Sequence, residues 1–539
     1  MVAPLVLPDT FNAASWFVDR NVQEGRGAKV AIECGDERVT YQQVLERVNR
    51  LGNALRGALD VRPEERVLLL LLDTPDFIYS FFGAIKIGAV PIPTSTLWKP
   101  ADYEYVLNDS RARVVIVSEP LLPHIQAIPR ERLRYVKEIV VVSPKPKAKA
   151  KGPALPGVRA LASLVANVSS DLEAEPTSKD DPAFWLYSSG STGFPKGCVH
   201  LHHDMVVCTE LYAKGILNMT AEDRCFSVAK LFFAYGLGNA MYCPFGVGAT
   251  TILWPGSPAA ANVYATIEKY RPTLFFSVPT NYGMLLSHKR DGADFDLSSI
   301  RYGVSAGEAL PPALFERFNR RFGVEILDGI GSTEILHIFI SNRPDAIRPG
   351  SSGQIVPGYE AKILDEANRP VPTGKIGNLL ISGDSTCACY WNKHEKTRET
   401  IEGRWIRTGD KYSRDADGYY WYAGRSDDMM KVGGIWVSPV ELENALIEHP
   451  SVLECGVGAR MDRDGLTKPH AYVVLREGIA GTPELAAELQ QFAQTKLANY
   501  KRPRWVEFLA ELPKTATGKL QRYKLRERAA QSAAVEVLR

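Results

Sequence analysis

The most constraining feature of this chain is a repeated change of hydrophobic period over its first quarter. Thr40-Tyr41 opens YQQVLERVNRLGNALRGAL, in which apolar residues recur at helical spacing. Arg66 to Leu72 is then a nearly unbroken aliphatic run, far too short to span a bilayer, and it reads as a buried strand. A helix is predicted over Asp76 to Ile87, closed by Gly88, and another strand over Arg113 to Ser118. Strands alternating with helices imply a parallel sheet covered on both faces.

Further along, a second αβ region runs from about 182 to 345, and short strands with many Gly, Pro and Asp turns fill 350 to 424. Beyond 427 the pattern is α+β, with helices over Pro439 to Glu448 and Pro483 to Leu497 and a strand near Ala471 to Leu475. The domain boundary is placed near Arg425 to Asp428, giving units 1–426 and 427–539. Ser143 to Gly157, rich in Pro and Lys, reads as a solvated loop. Lys plus Arg number 64 and Asp plus Glu 62, a balance that argues against a general nucleic-acid or membrane-surface binder. The eight cysteines form no CxxC, and Cys387 and Cys389 lack a second pair for zinc, so reduced thiols in a cytosolic protein are expected. The first residues, MVAPLVLPDTFN, carry no basic region, and no signal peptide is read.

Chemistry concentrates first in Tyr187 to Gly197, YSSGSTGFPKG. Glycines admit an anion close to the backbone, hydroxyls add donors and Lys196 adds a charge, which is what phosphate binding needs. The spacing is not that of a P-loop, because Pro195 precedes the lysine and Gly197 follows it. Asp328 to Glu334, DGIGSTE, ends in a hydroxyl, Thr333, suited to a phosphate and a carboxylate, Glu334, suited to magnesium. Thr408-Gly409-Asp410, Gly424 to Asp428 and Pro513 to Lys519 (PKTATGK) add ribose and phosphate partners in Asp410, Arg425 and Lys519. Gly303 to Gly307, GVSAG, matches a nucleophile-elbow pattern and opens a rival reading, a serine hydrolase built on Ser305. His200, His202 and His203 form a cluster that fits either a metal site or, more simply, a strand end and helix start.

Taken in this order and at these intervals, the motifs resemble the adenylate-forming acyl-CoA synthetase superfamily, over about Thr40 to Arg526. KLFFAYGLGN, SAGEALP, EILDGIGSTEILHIFISN and GRSDDMMKVGG followed by WVSPVELE resemble its bacterial benzoate-CoA ligases. The resemblance implies an α/β fold: a large N-terminal domain of two doubly wound αβ sheets with a small β-barrel-like subdomain, and a small mobile α+β C-terminal domain. It implies ATP, magnesium and coenzyme A as reactants or cofactors, an aromatic carboxylic acid as substrate, and no nucleic-acid or membrane partner. Oligomeric state is not read from it.

By the same resemblance, Lys519 bridges the acid carboxylate and the α-phosphate, Thr333 contacts that phosphate and Glu334 holds magnesium. Ser188, Ser189, Gly190, Ser191, Thr192, Gly193 and Lys196 cradle pyrophosphate. Gly307, Glu308, Ala309, Asp328, Gly329 and Ile330 line the adenine slot, and Asp410 and Arg425 hold the ribose. Phe232, Phe233, Ala234, Tyr235, Gly236, Ile330, Gly331 and His337 line the acid pocket, flat rings alternating with small residues to admit a planar substrate. Asp427 is the hinge. Lys431, Gly433 and Gly434 meet the pantetheine arm, and Tyr500, Lys501 and Arg502 meet the CoA phosphates. Relatives often carry an aromatic residue where Ile330 stands and Ser where Gly433 stands. With Tyr235 and His337 the main polar groups on the expected wall, unsubstituted benzoate is favoured over hydroxybenzoates, with 2-aminobenzoate among the alternatives. Transfer to a carrier protein is the other acceptor considered, and no carrier domain is visible in the chain.

Overall fold

The computed structural model describes residues 5–143, 158–190, 193–426, 428–432, 435–462, 466–514 and 520–537. Two largely parallel sheets dominate. The smaller orders Val90–Pro93, Arg66–Leu70, Val114–Ser118, Glu138–Val142 and Val158–Ala160, every pair parallel. The larger has nine strands, and its parallel centre runs Ile326–Gly331, Tyr302–Ser305, Leu274–Ser277, Arg224–Ser227, Thr250–Leu253 and Val30–Cys34. Parallel strands buried on both faces must be apolar throughout, and Val114–Ser118 and Leu274–Ser277 are buried at every position.

The helix Tyr41–Asn53 begins where the sequence places it. The Thr40 hydroxyl accepts from Gln43 N at 3.3 Å, and the Gln43 side chain accepts from Thr40 N at 2.9 Å, a reciprocal cap that satisfies two otherwise open donors. The helix predicted over Asp76 to Ile87 spans Pro75–Lys86. Between residues 360 and 425 an antiparallel sheet forms: Glu360–Leu364, Gly377–Ser382, Trp405–Arg414 and Tyr420–Arg425 pair in succession, with Ile401–Glu402 on the edge. The C-terminal part pairs Val452–Met461, Thr467–Leu475 and Trp505–Phe508, with helices Pro439–Ile447, Pro483–Lys496 and Arg522–Val537 beside them.

Two arrangements depart from the chain-order reading. Strands Val30–Cys34 and Glu37–Thr40 precede the first αβ region but belong to the larger sheet, since Val30–Cys34 runs parallel to Thr250–Leu253. Non-local pairing of this kind leaves no periodic signature in the sequence. The second αβ region also opens on a hairpin, Pro182–Gly190 with Gly193–Leu201, to which Cys389–Tyr390 adds a third strand. Among the described residues no helix is long and apolar enough to cross a membrane. The expected loop at Ser143 to Gly157 lies, apart from its first residue, outside the described residues.

Candidate active site

The described part of the phosphate-type motif lies on the two arms of that hairpin. Its strands are held by register from Tyr187 opposite Gly197 to Ser188 opposite Lys196. Trp391 N donates to the Gly197 carbonyl at 2.8 Å, and Ala388 N to that of Val199 at 2.9 Å, so the third strand clamps the lysine-bearing arm. The same short segment reaches the second motif, because Cys387 N donates to the Glu334 carbonyl at 2.7 Å. Phosphate loop and DGIGSTE turn are therefore tied through residues 387 to 391, a stretch absent from the predicted site.

Three side chains meet there. Tyr390 Oη donates to Glu334 Oε1 at 2.7 Å, and Ser188 Oγ donates to the same oxygen at 3.3 Å. Lys196 Nζ stands 4.3 Å from the centre of the Tyr390 ring, a cation held over an aromatic face. Burial, and next the Glu334 carboxylate, push the Tyr390 phenol far above its ordinary pKa, so it remains a donor. Glu334 Oε2 receives no hydrogen bond from a described residue, which leaves one hard oxygen without a partner among them.

Across the site, Asp410 and Arg425 are opposite each other on paired strands, with Arg425 Nη1 at 3.0 Å from both Asp410 Oδ1 and the Thr408 carbonyl. Gly409 lies between them at φ +76°, and a Cβ there would sit 2.8 Å from Arg425 Nη2, so the TGD glycine serves both the turn and the guanidinium. Asp328 lies within the strand Ile326–Gly331 beside Ser305, its register partner, which ends the neighbouring strand. Burial pushes its carboxyl up to about 8, against weaker opposing pulls from the Ser305 hydroxyl and the Leu310 and Gly329 amides. Gly307 takes φ +88°, and Glu308 Oε2 accepts from Thr280 Oγ1 at 3.1 Å.

Of the residues expected to line the acid pocket, Tyr235 and Gly331 lie beside His337, which is buried with neither ring nitrogen hydrogen-bonded among the described residues. Burial pulls its pKa down to about 3, only partly offset by the nearby Tyr235 carbonyl, so the ring is neutral at ordinary pH. Its neighbours are the rings of Tyr212, Tyr242 and Tyr235, with centroids 5.0, 6.1 and 6.2 Å away. Gly238 completes the box, since a Cβ on it would lie 2.3 Å from His337 Cδ2. Tyr212, Tyr242 and Gly238 were not singled out in the sequence. Gly238 carried a usable signal, a second small residue one turn from Ala234 in AYGLGN.

Several of the expected site residues have definite neighbours of their own. Tyr235 does not offer its proton to a substrate, because Oη already donates to the carbonyls of Ser277 and Val304 at 3.2 and 3.1 Å. Gly236 is small to pass backbone, not to open a slot: its Cβ would meet the Lys230 carbonyl at 2.1 Å. Gly331 likewise closes its strand onto the next, with a Cβ 2.6 Å from the His337 carbonyl. Phe232 and Phe233 lie against each other, centroids 4.4 Å apart, and Ile330 and Ala234 pack against the main core. Lys501 is not a free cation, since its ammonium pairs with Glu441, while Tyr500 is exposed.

Ser305 is fully buried at a strand end, with no histidine hydrogen-bonded to it among the described residues, which removes the hydrolase reading. The histidine cluster is spent on hydrogen bonds: His202 Nδ1 accepts from Ala13 N at 3.0 Å, and no metal-type cluster occurs among the described residues. Ser191, Thr192, Asp427, Gly433, Gly434 and Lys519 lie outside the described residues, and for Ser189, Gly190, Gly193 and Lys431 only the backbone course is described.

Ser188, Glu334, Tyr390 and Lys196 thus form one partly buried cluster, and His337 stands in an aromatic box of its own. The chain matches the AMP-binding enzyme family over residues 18–391 and the AMP-binding enzyme C-terminal domain over residues 441–519. It belongs to that family, the adenylate-forming ligases its motifs resemble. It is 47% identical over 521 residues to a benzoate–CoA ligase of Thauera aromatica, covering 96% of each chain. With a 4-hydroxybenzoate–CoA/benzoate–CoA ligase of Rhodopseudomonas palustris it shares 44% over 518 residues, 96% of this chain and 94% of the other. Among solved structures, the anthranilate CoA ligase AuaEII in complex with anthranoyl-AMP aligns with TM-score 0.92 at 46% identity, covering 98% and 99%. A benzoate CoA ligase of Burkholderia xenovorans aligns at TM-score 0.86 and 44% identity, covering 96% and 100%.

Proposed function

We propose that this enzyme is an ATP-dependent benzoate-CoA ligase. The observation that carries the reading is the buried, unpartnered and neutral His337, boxed by aromatic rings three residues beyond the Thr333-Glu334 pair. A neutral imidazole N–H donates to a carboxylate without holding it as a tight ion pair, so the acid keeps its nucleophilicity. The carboxylate oxygen attacks the α-phosphorus of ATP, the bond to the β-phosphate oxygen breaks, and pyrophosphate leaves. The coenzyme A thiol then attacks the acyl carbon of benzoyl-AMP, AMP departs, and the thiol proton passes to solvent or AMP.

Little covalent chemistry is asked of the protein, so positioning and charge neutralisation carry the catalysis. Lys196, held over the Tyr390 ring, neutralises the departing pyrophosphate. Asp410, oriented by Arg425, takes the ribose hydroxyls. Magnesium fits the free oxygen of Glu334, where it would supply charge to the phosphates, with Tyr390 and Ser188 fixing the carboxylate. Lys519 supplies the cation between carboxylate and α-phosphate, and residues 427–539 move as a unit about Asp427 between the two half-reactions.

Acid-dependent exchange of pyrophosphate into ATP by the wild type and by Lys519→Ala tests this. The wild type exchanges with benzoate and the variant does not; exchange that survives in the variant removes Lys519 from the first half-reaction. A second reading, 2-aminobenzoate as the preferred acid, is favoured by the anthranilate ligase similarity and by Asn239. That residue lies one helical turn from Tyr235, and its buried amide is unpartnered. The same exchange with the two acids in parallel separates the readings.

A further inference from the structure

The turn that joins the two halves of the site is under strain. Leu336, fully buried and not glycine, has φ +71° and ψ −42°. His337 N donates to the Ile335 carbonyl at 2.9 Å, so Ile335 to His337 form the rare γ-turn with a positive central φ. A non-glycine residue persists in such a conformation only where its surroundings over-determine it. Without the turn, the chain leaving Thr333 and Glu334 could not reverse into the strand Ile338–Ser341 and deliver His337 into its box within three residues.

Two side chains supply the restraint. Ser385 Oγ donates to the Ile335 carbonyl at 2.8 Å. On the other side His200 Nε2 lies 2.8 Å from the Thr333 carbonyl, which also accepts from Leu336 N at 3.2 Å. A carbonyl only accepts, so Nε2 carries the proton. His200 Nδ1 lies 2.7 Å from Asp204 Oδ2, and the ring stacks on Phe184 at 5.2 Å and 18°. Asp204 Oδ2 is itself fixed by Leu201 N at 3.1 Å. Every group in this chain, from carboxylate to turn, is buried or partly buried.

We propose that His200 is a positioning residue of the first half-reaction. Acting through the Thr333 carbonyl, it holds the strained turn at Leu336 and so keeps the phosphate-side pair Thr333-Glu334 aligned with the acid-side His337. Resting on the reading that this site joins an acid to a nucleotide, it does not depend on which acid that is. It also gives the histidine cluster a function other than metal binding. Alignment matters while acid and ATP are separate molecules. Once the acyl adenylate exists, a covalent bond supplies it, so the second half-reaction needs His200 far less.

The test is a matched pair of variants. In His200→Gln the amide nitrogen reaches the place of Nε2 and keeps the donor to Thr333; in His200→Asn it reaches only the place of Nδ1 and loses that donor. Pyrophosphate exchange is measured with the acid the wild type uses best, and thioester formation with that acid's synthetic adenylate and coenzyme A. His200→Asn is expected to lose kcat for exchange on the order of 10- to 100-fold with KM for ATP nearly unchanged, while its thioester formation stays close to wild type. His200→Gln is expected to retain most of the exchange. Equal exchange in the two variants, or parallel loss of both half-reactions, overturns the proposal. Should His200→Asn not fold, Ser385→Ala removes the second restraint and is expected to show the same selective loss of exchange; a Ser385→Ala enzyme with both half-reactions intact also overturns it. A wild type that prefers an acid other than benzoate revises the substrate and leaves this test standing.

Discussion

Removing one oxygen atom, in Tyr390→Phe, isolates the hydrogen bond that aims Glu334. Tyr390 Oη lies 2.7 Å from Glu334 Oε1, a donor to an ionised acceptor, and the residue is only 3% exposed, so water does not readily take its place. Hydrogen bonds to charged groups contribute about 1.5–3 kcal/mol, and each 1.4 kcal/mol is tenfold in rate or affinity, so kcat/KM for ATP should fall about 10- to 100-fold. The longer Ser188 contact, 3.3 Å, partly holds the carboxylate and moves the expectation toward the lower end. The phenylalanine ring remains under Lys196, so the cation–π contact is kept, while Tyr390→Ala loses that contact as well and should fall further by about 0.5–2 kcal/mol. The assay is acid-dependent pyrophosphate release across a magnesium titration, with thermal unfolding as a control. The expected signature is a higher magnesium requirement in Tyr390→Phe at nearly unchanged stability. A variant with wild-type kcat/KM and magnesium dependence would refute the reasoning that Tyr390 orients the metal-facing carboxylate.

Three further outcomes are expected. Gly238→Ala places a methyl against the His337 ring, boxed on its other sides by three tyrosines, and should raise KM for the acid with little change in KM for ATP; unaltered acid kinetics would show that His337 does not face the acid. Asp328 has a folded-state pKa of about 8, above its unfolded value, so its contribution to stability is full below the ordinary carboxyl range and is lost as pH rises through about 8. Asp328→Asn should therefore gain on the wild type in denaturant unfolding by on the order of 1 kcal/mol per pH unit between pH 5 and 8, and a difference independent of pH would contradict the assignment. Ser305→Ala should keep ATP-dependent ligation, because the hydroxyl is buried at a strand end; abolished ligation at unchanged stability would reopen a chemical role for it.

The parallel cores were legible because strands buried on both faces must be aliphatic, and Arg66–Leu70 and Val114–Ser118 are. The phosphate-type motif was legible for a related reason: few structures other than an anion site require so many glycines and hydroxyls together. What stayed hidden was supplied by distant chain segments. Tyr390 meets Glu334 across 56 residues of sequence, and nothing in CACYW signals that a phenol will be aimed at a carboxylate. Small residues misled in a consistent way. Gly236 and Gly331 look like gaps made for a flat substrate, yet their missing side chains admit neighbouring backbone, a demand visible only once the chain is folded. Tyr235 misled for the opposite reason, since an apparent polar handle is consumed by two carbonyls at the strand ends.

The central claim, that this site joins an aromatic acid to AMP and then to coenzyme A, is tested most directly by AMP formation with ATP, magnesium and coenzyme A. The panel should contain benzoate, 2-aminobenzoate, the three hydroxybenzoates, cyclohexanecarboxylate, acetate and hexanoate. The account predicts coenzyme A-dependent AMP formation with benzoate foremost. An aliphatic acid that outruns every aromatic one, or no acid that yields AMP in the presence of coenzyme A, would contradict it.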